Sequence, residues 1–306
     1  MVDPLIWLAF GAAVVAMLAV DLVVAGRTSG RVPSMRSAAW WSVGWTAVAL
    51  AFALLLLVWR GEQHASEYLT GFILERSLSL DNLFVFAMLF GYLAVPELAQ
   101  RKVLFYGIVG AIVLRLLFIL AGGALLDAVH WSIYLFGALL IATGIRMGLH
   151  GDAEIHPERN PVLRLMRRTV PSTEAYHGDR VVVREGGRRV ATPLLAALVL
   201  VATFDVVFAV DSIPAIFAVT RDTFTVFAAN AFSLLGLASL YFLLAGMRER
   251  FRHLNKGLAV VLVFIGIKML ITDLWHVPTE LSLAVIIVAI SASVLASRRR
   301  PVASTA

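Results

Sequence analysis

Apolar residues along this chain gather into nine blocks separated by short polar segments. A helix of about 20 apolar residues covers the ~30 Å hydrocarbon core of a bilayer. The pattern predicts nine transmembrane helices, near residues 4–25, 38–59, 67–92, 103–124, 130–149, 193–219, 225–247, 256–274 and 279–297. The first block lacks a basic leader and carries Asp3 and Asp21, so it reads as a retained helix and not as a cleaved signal.

The connecting segments test this count. Arg27, Arg31 and Arg36 follow the first block, and Arg60 alone follows the second. Arg101 and Lys102 follow the third, and nothing basic follows the fourth. Arg159, Arg164, Arg167, Arg168, Arg180, Arg184, Arg188 and Arg189 crowd the segment after the fifth. Arg221 alone follows the sixth; Arg248, Arg250, Arg252 and Lys256 follow the seventh; none follows the eighth; Arg298, Arg299 and Arg300 follow the last. Basic and sparse connections alternate throughout. The positive-inside rule then places the N-terminus outside and the C-terminus in the cytoplasm.

Composition agrees. Of 306 residues, 60% are hydrophobic and 15% charged, against about half and a quarter in soluble domains. The net charge is +6, and most of the basic residues cluster in the connections, which speaks for topology and a lipid partner, not for nucleic acid. There is no cysteine, which excludes disulfides, thiolate metal sites and a Cys nucleophile.

Blocks three to five resemble blocks six to eight. Glu75 precedes Asp81-Asn82 by six residues, and Asp205 precedes Asp211-Ser212 by six. Gly144-Ile145-Arg146-Met147 closes block five, and Gly266-Ile267-Lys268-Met269 lies in block eight. Three helices per unit is odd, so the second unit crosses in the opposite direction, as in transporters built from inverted repeats. The predicted fold is an all-α polytopic membrane protein with an inverted 3+3 repeat. Residues 1–60 hold two accessory helices, 61–150 the first unit, 151–192 a cytoplasmic loop, 193–275 the second unit, and 276–306 the last helix and basic tail. Within the loop, Arg180–Val183 and Arg188–Ala191 flank a Glu185-Gly186-Gly187 turn and predict a small β-hairpin. Gly107, Gly110, Gly122 and Gly123 predict close helix packing.

Glu75, Arg76, Asp81, Arg115, Asp205, Asp211 and Lys268 all lie within predicted spans. Each costs roughly 2.5–3.5 kcal/mol at a helix centre, so each should face a partner, a cavity or an ion. A step of seven returns to nearly the same helix face, which aligns Glu75 with Asn82 and Asp205 with Ser212. A step of six leaves Glu75 and Asp81, like Asp205 and Asp211, about 120° apart. A local break would let both acids of a pair converge. Pro214, which frees the Val210 carbonyl, predicts one in block six; Ser77 and Ser79 would loosen block three. Carboxylates, an amide, a hydroxyl and freed carbonyls form an all-oxygen set. Such a set suits a hard divalent cation as substrate: manganese, or else calcium or magnesium. The histidines, His64 and His177 among them, fall in loops or at span ends. Arg115 and Lys268 either neutralise the empty site or form structural salt bridges, and the Asn230 amide either joins two helices or reaches the site. No permanently bound cofactor is expected.

The same residues carry a family resemblance. Glu75-Arg-Ser-Leu-Ser-Leu-Asp81-Asn82-Leu-Phe-Val-Phe, His177-Gly178-Asp179-Arg180, Arg189-Val-Ala-Thr-Pro193 and Phe204-Asp205-Val-Val-Phe-Ala-Val-Asp211-Ser212-Ile-Pro214-Ala resemble the TerC family of bacterial membrane proteins, named for tellurium resistance. The resemblance runs from about residue 5 to 297. It implies a nine-helix fold akin to the lysine-exporter superfamily, and manganese efflux. It also implies roles in metal homeostasis, in metal loading of secreted enzymes and in tellurite or alkaline stress. By motif position it implies Glu75, Asp81, Asn82, Asp205, Asp211 and Ser212 as the metal site. Asp205 stands where the family more often has Glu, which changes the reach of that acid. Tellurite itself is an oxyanion that buried carboxylates would repel unless they were protonated.

The expected function is therefore divalent-cation export by a secondary transporter, not an enzyme. No P-loop is present for ATP hydrolysis, and the signatures of an intramembrane aspartyl protease are missing. The alternative is a non-transporting scaffold that aids secretion machinery or secreted metalloproteins through the basic loop.

Overall fold

The computed structural model describes residues 3–27, 34–129, 131–150, 161–185, 187–244, 254–275 and 277–298. Over these residues the chain is almost entirely helical. The elements are α1 (Pro4–Arg27), α2 (Met35–Arg60), α3 (Glu62–Tyr92), α4 (Glu97–Ala128), α5 (Ser132–His150) and α6 (Pro161–Thr169). Then come β1 (Val182–Glu185), β2 (Arg188–Ala191), α7 (Pro193–Phe217), α8 (Thr223–Leu234), α9 (Leu237–Leu244), α10 (Leu254–Leu270) and α11 (Thr279–Arg298).

Six of these helices are long and apolar enough to cross a membrane: α1, α2, α4, α5, α7 and α11. The pair α8 and α9, bent by 44° across a short break, makes a seventh if counted as one span. Two of the nine predicted spans fall outside this set for physical reasons. Helix α3 carries Glu67, Glu75, Arg76 and Asp81 along its 31 residues, and α10 has 17. Each predicted block nevertheless coincides with one helix, or with the bent pair for block seven. The predicted end of block seven at 245–247 lies outside the described residues, as do most residues of the first and seventh connections and of the basic tail.

Contacts between helix ends fall into two sets. Arg60, at the end of α2, pairs with Asp222, just before α8. Tyr134, at the start of α5, donates to Asp273, just after α10. At the other ends, Lys102 of α4 donates to the Asp179 carboxylate at 2.9 Å, and the Tyr176 hydroxyl donates to the Leu93 carbonyl at 2.5 Å. The Lys102 ammonium holds the Asp179 carboxyl below its usual range. These ties join sparse connections to sparse ones and basic to basic, as the alternation requires.

The segment after α5 is more structured than the sequence suggested. Its hairpin pairs Val182 with Ala191 and Glu185 with Arg188, and Thr192 Oγ1 donates to the Arg180 carbonyl at 2.7 Å while capping α7. Helix α6 lies within the predicted loop, where the block pattern marks no helix. It buries Leu163 and leaves Arg164 and Arg168 exposed.

Small residues set the helix contacts. A Cβ added to Gly144 of α5 would lie 2.9 Å from the Ala259 carbonyl oxygen and 2.8 Å from Val263 of α10. A Cβ added to Gly266 of α10 would lie 2.7 Å from the Gly137 carbonyl oxygen and 2.7 Å from Ile141 of α5. Gly144 and Gly266, Gly137 and Ala259, and Ile141 and Val263 are each 122 residues apart. One set of contacts thus becomes the other when the two helices are exchanged. Helix α4 packs on α7 as α3 packs on α8, which the same exchange of triplets relates. Gly107 fits against Val201, and Gly122 and Gly123 against Phe217 and Thr223, whereas Gly110 meets nothing within 4 Å.

Helices α1 and α2 clasp α8 through aromatic rings. Phe10 lies 5.1 Å from Phe224, Trp7 stacks 5.8 Å from Phe227, and Phe52 lies 4.7 Å from Phe232. Contacts of this kind contribute ~0.5–1.5 kcal/mol each beyond burial. They fix the rotation of α8, and with it the direction of Asn230.

The break between α8 and α9 is capped from α3. Arg76 donates to the carbonyls of Ser233 at 2.7 Å and Leu235 at 3.1 Å, groups that the ended helix leaves without partners. Gly236 turns the chain at φ +73°, and a Cβ there would lie 2.4 Å from the Trp45 ring. Both effects act together in Gly236→Ala, which should cost roughly 3 kcal/mol. The measurement is the thermal unfolding midpoint of purified protein, and an unchanged midpoint contradicts the packing described.

Candidate cation site

Helices α3 and α7 run without interruption past the residues meant to break them. Pro214 sits near the C-terminal end of α7, which continues to Phe217. The Ser77 hydroxyl donates to the Ile73 carbonyl within α3. With no break, residues six apart stay on different faces of a helix, and in α7 Asp205 and Asp211 do not converge.

What converges instead is one acid from each motif, drawn to an arginine. Arg115 of α4 is fully buried, as is Glu75 of α3; Asp205 of α7 is 4% exposed. Arg115 Nη1 donates to Glu75 Oε1, to Asn230 Oδ1 at 2.8 Å and to Ser212 Oγ at 3.5 Å. Arg115 Nη2 donates to Asp205 Oδ1 at 3.3 Å. Four helices therefore contribute to one polar cluster inside an apolar core.

Local sequence aims these groups. Ser79, one turn beyond Glu75, donates to Glu75 Oε1 at 3.5 Å. Ser212 follows Asp205 by seven and shares its face. The Asn230 amide donates to the Val226 carbonyl at 3.0 Å, which turns its oxygen toward Arg115. Buried polar groups are normally satisfied, but Glu75 Oε2, Asp205 Oδ2 and Arg115 Nε have no hydrogen-bond partner among the described residues. Two carboxylates, an amide oxygen and a hydroxyl can ligate a hard cation, and the guanidinium occupies their common centre.

Other predicted site residues lie elsewhere. Asp211 accepts from Thr143 of α5 at 2.9 Å, with Arg146 nearby, so it does not share the pocket of Asp205. Lys268 donates to Ser282 of α11 at 3.0 Å, close to Glu67 and Glu280; it does not neutralise Glu75 or Asp205. Asn82 is buried two turns beyond Glu75. The side chain of Asp81 lies outside the described residues. Among those described, no three acidic or histidine side chains gather into a metal cluster.

Glu67 stands at the edge of a predicted block, where the sequence does not mark it as an intramembrane acid. It is buried, accepting from Thr220 at 2.6 Å and from Gln63 at 2.9 Å. Its spacing of eight from Glu75 was the available signal. His64 likewise lies within α3, with its Nδ1 buried and unpaired among the described residues; His177, in the loop, contacts Glu185 at 3.1 Å. His130, His156, His253 and His276, and the side chain of His150, lie outside the described residues.

Comparison with known proteins follows the same motifs. The chain is 47% identical over 295 residues to "Uncharacterized membrane protein STKORF319" of Myxococcus xanthus, covering 96% of this chain and 92% of the relative. It is 46% identical over 291 residues to "Putative membrane-bound redox modulator Alx" of Escherichia coli K12, covering 92% and 91%. A membrane protein of Rickettsia felis is 34% identical over 291 residues, covering 95% and 96%. No solved structure matches. The profile of the integral membrane protein TerC family matches residues 60–303, and the chain is therefore a multi-pass membrane protein belonging to the TerC family.

Proposed function

We propose that this protein is a secondary transporter that exports a hard divalent cation, manganese first and calcium or magnesium next, across the bacterial inner membrane. The observation that carries this reading is the convergence of Glu75 and Asp205, one from each three-helix unit, with an oxygen on each left without a partner among the described residues. Two carboxylates match a divalent charge, and an all-oxygen set favours manganese over zinc. In this reading all nine helical segments span the bilayer, α3 and α10 included, with the N-terminus outside and the C-terminus in the cytoplasm. The two triplets form an inverted repeat. The exchange relation between the α5 and α10 contacts supports that architecture. Rocking of one triplet against the other would expose the acids to each side in turn.

Asp81, Asn82 and Asp211 remain proposed ligands in a second arrangement of the helices. The site binds and moves an ion; we assign it no bond-making chemistry. Relatives carry the name of a redox modulator, but this chain has no cysteine. A redox effect would arise from the metal moved, as would any contribution to metal loading, tellurite resistance or alkaline stress.

The test is manganese efflux from vesicles containing the purified protein. Asp205→Asn and Glu75→Gln should each reduce flux about tenfold or more, the consequence of losing ~1.4 kcal/mol of binding. Unchanged flux in both variants, or equal preference for zinc, contradicts the proposal. Deleting residues 152–190 separates the scaffold alternative, which requires that segment.

A further inference from the structure

We infer that Arg115 is a tethered competitor for the transported cation, whose guanidinium must be expelled before the ion can bind. This inference rests on the cation site proposed above and extends it to how occupancy of that site is regulated.

The geometry supplies the first reason. The two terminal nitrogens of Arg115 contact Glu75 Oε1, Asp205 Oδ1, Asn230 Oδ1 and Ser212 Oγ. These four side chains supply every oxygen that the cluster around Arg115 presents in this arrangement of the helices. A hard divalent cation ligated at roughly 2.0–2.6 Å would need the same centre. An ion held at that distance by Glu75 Oε1, Asp205 Oδ1, Asn230 Oδ1 and Ser212 Oγ would take the place of the guanidinium.

Charge supplies the second. Two carboxylates balance a divalent ion, or outweigh the guanidinium by one charge. They cannot offset both, and the excess would stand in a low-dielectric interior where like charges repel strongly. The third reason is the incompleteness of the pairing. A buried ion pair that serves structure alone needs its remaining atoms hydrogen-bonded. Here Glu75 Oε2, Asp205 Oδ2 and Arg115 Nε are unpaired among the described residues. Arg115 also bridges the two triplets: it stands on α4 of the first and reaches Asp205, Ser212 and Asn230 of the second. Its contacts hold the triplets in one relative position, and an entering ion would replace that link.

The test compares manganese binding by wild type, Arg115→Ala and Arg115→Lys, purified in detergent and measured by calorimetry with and without millimolar guanidinium chloride. Arg115→Ala should bind manganese about tenfold or more tightly, the factor expected when a competent state populated at about a tenth becomes the only one. Free guanidinium should then fill the vacated place and weaken manganese binding to Arg115→Ala while leaving wild type unaffected. Arg115→Lys should fall between the two. Should Arg115→Ala not fold, Arg115→Gln replaces it in the same comparison. Unchanged or weaker manganese binding without the arginine, or no competition by guanidinium in that variant, overturns the inference and makes Arg115 a pillar of the fold. No manganese binding by any of the proteins overturns the cation site itself.

Discussion

Glu75→Met should lower the stability of the purified protein by about 3–5 kcal/mol, the usual consequence of breaking a buried ion pair from one side. Glu75 and Arg115 are both wholly shielded from solvent. Removing the acid leaves the guanidinium with Asp205 at 3.3 Å as its one charged partner in the cluster. Chemical unfolding in detergent measures the loss. Glu75→Gln should cost less, because an amide oxygen still accepts from Arg115. The informative control is the triple replacement Glu75→Met, Arg115→Met and Asp205→Leu. Removing all the charges at similar volume is often neutral or stabilising in buried clusters. The triple variant should recover most of the lost stability and show no response to manganese. If it is as unstable as Glu75→Met, the cluster is an architectural element and its charges are kept for folding.

The second large effect lies at the contact of α5 with α10. Gly266→Ala should cost about 3 kcal/mol, because its Cβ would meet backbone, the Gly137 carbonyl oxygen at 2.7 Å and the Ile141 nitrogen at 3.0 Å. Backbone yields only if the helices separate. Gly144→Ala should cost a similar amount, since Ala259 and Val263 present the equivalent groups at 2.9 and 3.0 Å. The double variant should cost less than the two together, because helices already forced apart accommodate the second methyl. Gly110→Ala, which meets nothing within 4 Å, is the control and should change stability little. Thermal unfolding of the four variants decides the matter. A severe Gly266→Ala beside a harmless Gly144→Ala would contradict the exchange relation between the two helices.

Much of the architecture was legible along the chain. Apolar block length is set by the bilayer thickness, and connection charge by topology, so both are written locally. The hairpin was legible because Gly186-Gly187 marks a two-residue turn between β-favouring residues. The angular relations also survived: Asp205 and Ser212 share a face, and residues six apart diverge. The expectation that failed was the break at Pro214. Pro214 has only three residues of α7 after it, and the helix continues through them to Phe217. The real discontinuity, at Leu235–Gly236, carried only a lone glycine as its signal. It depends on Trp45 and Arg76, which are distant in sequence.

Sequence by itself determined which residues are charged inside apolar blocks, where those blocks lie and how side chains are spaced around each helix. It did not determine which face of a helix turns inward, because lipid and protein interior are equally apolar and leave no hydrophobic stripe to read. That rotation comes from contacts between distant segments: Gly144 and Gly266 seating α5 on α10, Val201 against Gly107, and the aromatic clasp on α8. Those contacts bring Arg115 and Asn230 to Glu75 and Asp205 while sending Asp211 to Thr143 and Lys268 to Ser282. Spacing along one helix fixes angles about its own axis, and only packing against neighbours fixes where those angles point.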